Sequence, residues 1–362
     1  MSKPLPNTVS ICDVAEETVI IETCSQVNAR FAGDPDRILR DRGMNPFLGW
    51  QTMPATLCVY RLRDVVLDQS LMVLLKDGRV IAETNYLQSE AAIAAAQVPA
   101  SRLVRLDVGH TVATCFDHWH INYYHWMAHT VPTVDAIFQR HPTHDISLAL
   151  PKLRPWQRKS LELLGASDLP SVATQRGRHY LIRDAEYYDF VAGRADFSVS
   201  PISQAAYTRM SEGVRIAAPP HKRIYIDRSR QTHRRMPNEP ALIARLRKRG
   251  FHAVRPERLS LEKQIAVFRG AGIVVGQLGA GLANIAFCQP GTIVYELVPD
   301  HHPNPCFLAM ALQGGLNYWA DVFPTRVTRG DHTSAWAADI DIDLVMSRVD
   351  ELEPLIPSRE HC

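Results

Sequence analysis

The sequence predicts an α/β protein of two successive domains, and three observations carry that reading. Residues 270–299 run as strand, glycine loop, short helix, turn and second strand. Short β-branched runs alternate with helical segments on both sides of that stretch, the pattern of a parallel sheet covered on both faces. Pro219-Pro220 stops a helical segment and stiffens a junction, giving domains at residues 1–218 and 219–362. The last helix is free to pack back on the first domain.

A chain of 362 residues is long enough for two such domains, each with its own core. Its 46% hydrophobic and 22% charged residues are ordinary for a globular protein. A formal net charge of +2 offers no field for nucleic acid or an anionic membrane. The seven cysteines form no C-x-x-C pair and are odd in number, so reduced thiols and a cytoplasmic location are expected. Residues 1–11 lack a basic stretch followed by an apolar core, so no signal peptide is expected. No apolar run approaches the ~20 residues of a membrane span. Peripheral membrane contact and a homodimer stay open.

Residues 1–60 carry little pattern beyond a polar turn at Gly33-Asp34-Pro35. Residues 71–82 form a hairpin with Asp77-Gly78 at its tip. Residues 90–97 are alanine-rich and helical, 112–116 a strand, 122–140 a helix, and 145–150 a strand. A helix at 156–164, a strand at 179–182 and a helix at 201–218 complete the first half. The second half repeats the alternation: a strand at Ile224, helix 240–249, a strand at Ala253-Val254 and helix 261–269. There follow the run Ile273-Val274-Val275, breaks at Gly276, Gly279 and Gly281, a helical turn or two at 282–287, and a strand closing on Glu296.

A glycine loop between a strand and a helix start presents unpaired N–H groups and a positive dipole end, a site for a phosphate or diphosphate. Its G-x-x-G-x-G spacing is not the dinucleotide G-x-G-x-x-G, and alone it reads equally well as a packing turn. Arg228 follows a strand end, where open α/β sheets place ligands, and a guanidinium binds phosphate bidentately. Arg230 and Arg234 fit a solvated loop; Arg228 and Arg235 are the candidate anion contacts. Glu296, ending an apolar strand, could accept from ribose hydroxyls.

Five histidines crowd the first half: His110, His118, His120, His125 and His129. His125 and His129 are four apart on one helix face, a spacing that could hold a metal with His118 or His120. The H-E-x-x-H protease pattern fails, because Trp126 follows His125. A histidine serves equally as a general base, and His125 and Asp117 are the candidates. Asp339, Asp341 and Asp343 imitate a D-x-D metal motif, but their place before a helix makes one of them a cap.

Five motifs stand in order: Asn122-Tyr123-Tyr124-His125-Trp126, Tyr225-Ile226-Asp227-Arg228, Arg234-Arg235-Met236-Pro237-Asn238-Glu239, Gly279-Ala280-Gly281-Leu282-Ala283-Asn284, and the strand reaching Glu296. In this the chain resembles the family 61 glycosyltransferases, known from bacterial polysaccharide loci, eukaryotic protein O-glycosylation and plant xylan synthesis. The resemblance covers about residues 115–299; Leu278 stands where the family commonly has His. It implies the GT-B architecture, two Rossmann-like domains facing across a cleft. It also implies an inverting, metal-independent transferase with no cofactor. The donor would be a nucleotide-sugar, UDP-linked by expectation, and the acceptor a glycan or other hydroxyl. His125 or Asp117 would be the base. Arg228, Arg235, Asn238, Gly279, Ala280, Gly281, Asn284 and Glu296 would hold the nucleotide-sugar. Two rival readings are a nucleotide-sugar-binding protein without catalysis and a two-domain sugar-nucleotide epimerase.

Overall fold

The computed structural model describes residues 7–34, 36, 44–106, 108–215, 222–327 and 336–356. The chain forms two compact units, one of residues 1–25 and 54–210, the other of 26–53 and 211–362. The expected junction at Pro219-Pro220 lies outside the described residues, as does Pro35. Residues 26–53 belong with the second unit, which nothing in their composition signals.

The first unit is built on a mixed ten-stranded sheet, in which the expected parallel strands are joined by long antiparallel ones that the expectation lacked. Its longest strand, Ala55–Asp68, pairs antiparallel with Ala15–Cys24, with Val73–Lys76 and with His179–Tyr188. One parallel portion runs His179–Tyr188, Thr111–Thr114, Ile146–Leu150 and Ser171–Ala173; Leu103–Leu106 also pairs parallel with His179–Tyr188, and Thr8–Val9 with Arg79–Ile81. The hairpin turns at Asp77-Gly78, where both residues adopt positive φ.

The expected helix at 122–140 is interrupted. A short turn at Tyr123–His125 leads into a π-turn at Trp126–Thr130, and an α-helix runs from Val131 to Arg140. Pro132 has no N–H to bond back to Ala128, so the α ladder cannot close there and the turn widens just ahead of it. Asn122 caps the start by accepting from the Tyr124 N–H at 3.0 Å.

The second unit carries five parallel strands in the spatial order Phe251–Val254, Lys222–Ile226, Ala271–Gln277, Ile293–Pro299, Asn317–Phe323. The two central ones, Ala271–Gln277 and Ile293–Pro299, are buried along their whole length. Counted along the chain the strand order is 2-1-3-4-5, so winding reverses between Lys222–Ile226 and Ala271–Gln277. Ligands of such sheets bind beyond the carboxyl ends at that reversal. The C-terminal helix Ile342–Leu352 packs into this unit's core through Val345, Met346, Val349 and Leu352, and Asp341 caps it at Leu344 N–H. Beneath it the buried Arg348 holds Asp321 and lies over Trp319.

Candidate functional site

At the winding reversal of the second unit, Arg228 leaves the end of its strand and reaches the glycine loop. Its backbone N–H donates to Glu239 Oε1 at 2.8 Å, and the Tyr225 hydroxyl donates to the same oxygen at 2.8 Å. Glu239 therefore fixes the strand end, while Asp227 is taken by Arg255. The Arg228 side chain has no ion pair among the described residues; Nη2 makes one long bond to the His233 carbonyl and Nε has no partner. Burial lowers its pKa, as for any cation drawn out of water. Its guanidinium lies against Gly279, whose missing side chain makes the space.

Ala280 opens a 3₁₀-helix, Ala280–Phe287, which contains the helical turn or two expected at 282–287. Gly281 faces Ile226 so closely that a methyl group would press on it. Asn284 is fully buried and donates to the Gly281 carbonyl, tying the loop shut. Leu278 is buried and its N–H bonds the Leu297 carbonyl.

The two neighbouring arginines part company. Arg235 is exposed, and its backbone pairs with Trp336 and Ala338. Arg234 has φ of 56°, an uncommon conformation for an arginine, and sends Nη1 to the Leu278 carbonyl at 3.3 Å. Gln277 Nε2 returns a bond to the Arg234 carbonyl. So Arg234, assigned from sequence to a solvated loop, is the arginine that meets the glycine loop. Asn238 spends its amide on both backbone groups of Ile340 and secures the chain there.

Glu296 lies inside its strand, which continues to Pro299, and is completely buried. Oε2 accepts from the Tyr318 hydroxyl at 2.5 Å, and Oε1 has no partner among the described residues. Burial pushes its carboxyl up to about 8, against smaller opposing effects of Tyr318 and the Arg234 charge.

The first unit gathers a second set of groups. Asp117, just beyond strand Thr111–Thr114, accepts from Nδ1–H of His125 at 3.1 Å and of His129 at 2.5 Å, both on Oδ2. Its other oxygen accepts the Trp119 N–H at 2.6 Å. Burial opposes charge on Asp117, yet the two histidines together hold it well below the usual carboxylate range. Nε2 of His129 meets Asp196 at 2.9 Å, and Asp196 also accepts from Tyr124 and Tyr86. Burial alone would lower the His129 pKa; Asp196 and Asp117 raise it to about 10. His129 is thus an imidazolium braced between carboxylates. His125 keeps Nε2 without a partner among the described residues and remains partly exposed. Of the two proposed bases only His125 presents an atom outward; Asp117 is 2% exposed.

Asp117, His125 and His129 bring ligand atoms within 4.8 Å of one another and could hold a metal ion. Both ring nitrogens of His129 face carboxylates, Asp117 at Nδ1 and Asp196 at Nε2, so an ion bound there would displace a proton from that ring. His118 and His120 do not join the group; His120 Nδ1 meets the Asp117 carbonyl. Sequence reasoning missed Asp196, Tyr86 and Arg234. Glu239 was visible in its motif but was not assigned a role.

Residues 123–295 match the family described as Glycosyltransferase 61. A stretch of 106 residues is 33% identical to the EGF domain-specific O-linked N-acetylglucosamine transferase of Drosophila melanogaster. That stretch is 28% of this chain and spans one fifth of the fly protein's length.

Proposed function

We propose, from the match of residues 123–295 to the glycosyltransferase 61 family, that the chain transfers a sugar from a nucleotide-sugar to a hydroxyl acceptor. The observation that carries the reading is Arg228, a cation without a carboxylate partner laid on the glycine loop at the sheet's winding reversal. A diphosphate supplies the missing counter-charge, and the first amides of the 3₁₀-helix add donors. The nucleotide is UDP, and the orphan Oε1 of Glu296 pairs with a ribose hydroxyl.

Transfer then runs as one displacement. Nε2 of His125 takes the acceptor's hydroxyl proton while Asp117 holds Nδ1–H and steadies the imidazolium that forms. The oxygen attacks the anomeric carbon, its bond to the diphosphate oxygen breaks, and configuration inverts. The electron pair leaves on the diphosphate, where Arg228 and the loop stabilise it without a metal. In this reading His125 and Asp117 serve the acceptor, and Arg228 with the glycine loop serves the donor. The fly relative's printed name makes a protein-linked hydroxyl one acceptor class to include.

The test is release and transfer of sugar from a panel of UDP-sugars, with and without EDTA. EDTA-sensitive transfer restored by a divalent ion would make Asp117, His125 and His129 a metal centre. Arg228→Ala should weaken UDP by about one to two decades, the worth of a charge-assisted hydrogen bond, and leave uridine unchanged. Equal losses for both ligands would remove the diphosphate assignment.

A further inference from the structure

Between Asp117 and the helix start, side chains alternate in and out: Phe116 and Asp117 are buried, while Trp119 is 49% and Ile121 53% exposed. Trp119 is the exposed one of the six tryptophans. An indole half exposed beside a candidate catalytic pair leaves apolar area uncovered, because that ring carries a large apolar surface with a polar handle.

Loose chain does not explain it. The Trp119 N–H is tied to Asp117 Oδ1 at 2.6 Å, and the Trp119 carbonyl accepts the Asn122 N–H at 2.7 Å. The His120 carbonyl accepts Gln157 Nε2 at 2.9 Å. Backbone bonds thus fix the loop on both sides of the indole, and the exposed ring is preorganised. It stands 6.2 Å from the His125 ring with planes 30° apart, and 5.2 Å from His118. The indole N–H has no partner among the described residues, and Nδ1 of His118 is buried and unpartnered.

We infer that Trp119 is the stacking platform of an acceptor subsite and that its ligand is a pyranose ring. The inference rests on the transferase reading and names its acceptor class. A pyranose has an apolar C–H face that an indole covers, and a rim of hydroxyls that the indole N–H and His118 can bond. The His125 ring, 6.2 Å away and tilted by 30°, is where a hydroxyl of the stacked sugar would arrive for deprotonation. A serine or threonine peptide also brings a hydroxyl to His125, but it lacks the C–H face that covers an indole.

The experiment uses the full chain without nucleotide, by saturation-transfer difference NMR. The probes are methyl glycosides and di- to tetrasaccharides of glucose, galactose, xylose and N-acetylglucosamine. Wild type should show transfer to pyranose C–H protons, Trp119→Phe should retain most of it, and Trp119→Ala should bind at least tenfold more weakly with an unchanged melting temperature. Equal binding by Trp119→Ala, no binding of any probe by wild type, or binding of serine and threonine peptides in their place would overturn the inference. UDP titrated into the same samples reports separately: its failure to bind would overturn the donor reading and leave the sugar platform standing.

Discussion

The Nη1 atom of Arg228 fills the space into which a side chain at Gly279 would project. The φ of Gly279, 168°, is extended backbone open to any residue, so its neighbour and not its dihedral demands glycine. In Gly279→Ala the methyl group meets the far end of a flexible side chain, which swings off the loop at little cost in folding. UDP affinity should fall by about one to two decades, uridine binding and the melting temperature staying near wild type. Gly213→Ala, with open space around it, serves as the control. Equal losses of UDP and uridine would make Gly279 a packing residue.

Glu296 retains in the folded state a proton that the unfolded chain releases. With its carboxyl raised from 4.5 to about 8, the stability it contributes is complete below the lower value and lost as pH rises through the upper one. Glu296→Gln, neutral and of the same shape, should melt like wild type at pH 5 and above it at pH 9. In binding, the variant should lose more affinity for UDP than for 2′-deoxy-UDP if Oε1 serves the ribose. Parallel losses assign the side chain to the wall of the loop.

His125→Ala should lower transfer by about 10²–10⁴ and leave UDP binding intact, the range of a lost general base. Because the ring is mostly buried and bonds Asp117, a moderate fall in melting temperature should accompany it, smaller than that of Asp117→Asn. Asp117→Asn should lower transfer too, but with a clear loss of stability, because it also strips one carboxylate from the buried His129 imidazolium. Near-normal transfer by His125→Ala would place the base elsewhere.

His129 reports on the same network through pH. Its pKa rises from 6.5 to about 10, so the stability gained is full below 6.5 and disappears as pH climbs towards 10. Melting temperature should fall across that window, and Asp196→Asn should flatten the fall. A slope unchanged in Asp196→Asn means that the imidazolium does not depend on that carboxylate.

The glycine stretch could be read in the sequence because its information is local: adjacent residues make the strand, the break and the next strand. The same holds for Asp341, whose side chain caps the helix that follows it. Arg234 and Arg235 could not be told apart, since the choice turns on one left-handed φ and a bridge to Ala337, a hundred residues away. Asp196 meets His129 across 67 residues with no motif around it. Residues 15–24 and 55–68 were opaque for a related reason. Half-buried antiparallel strands take their meaning from partners, and Ala55–Asp68 finds one of its own at His179–Tyr188.

The excursion of residues 26–53 has a consequence for synthesis of the chain. Ala32 bonds the Tyr318 carbonyl through its N–H, Phe31 meets Trp319 edge-on, and Phe47 packs on Tyr318. These partners are made after the first unit, so the early segment must wait, unhoused, until they emerge. A gene fragment beginning at residue 211 would lack that covering, and its strand Asn317–Phe323 would expose Tyr318 and Trp319. Joining residues 26–53 to such a fragment through a flexible linker is the shortest route to a soluble second unit on its own.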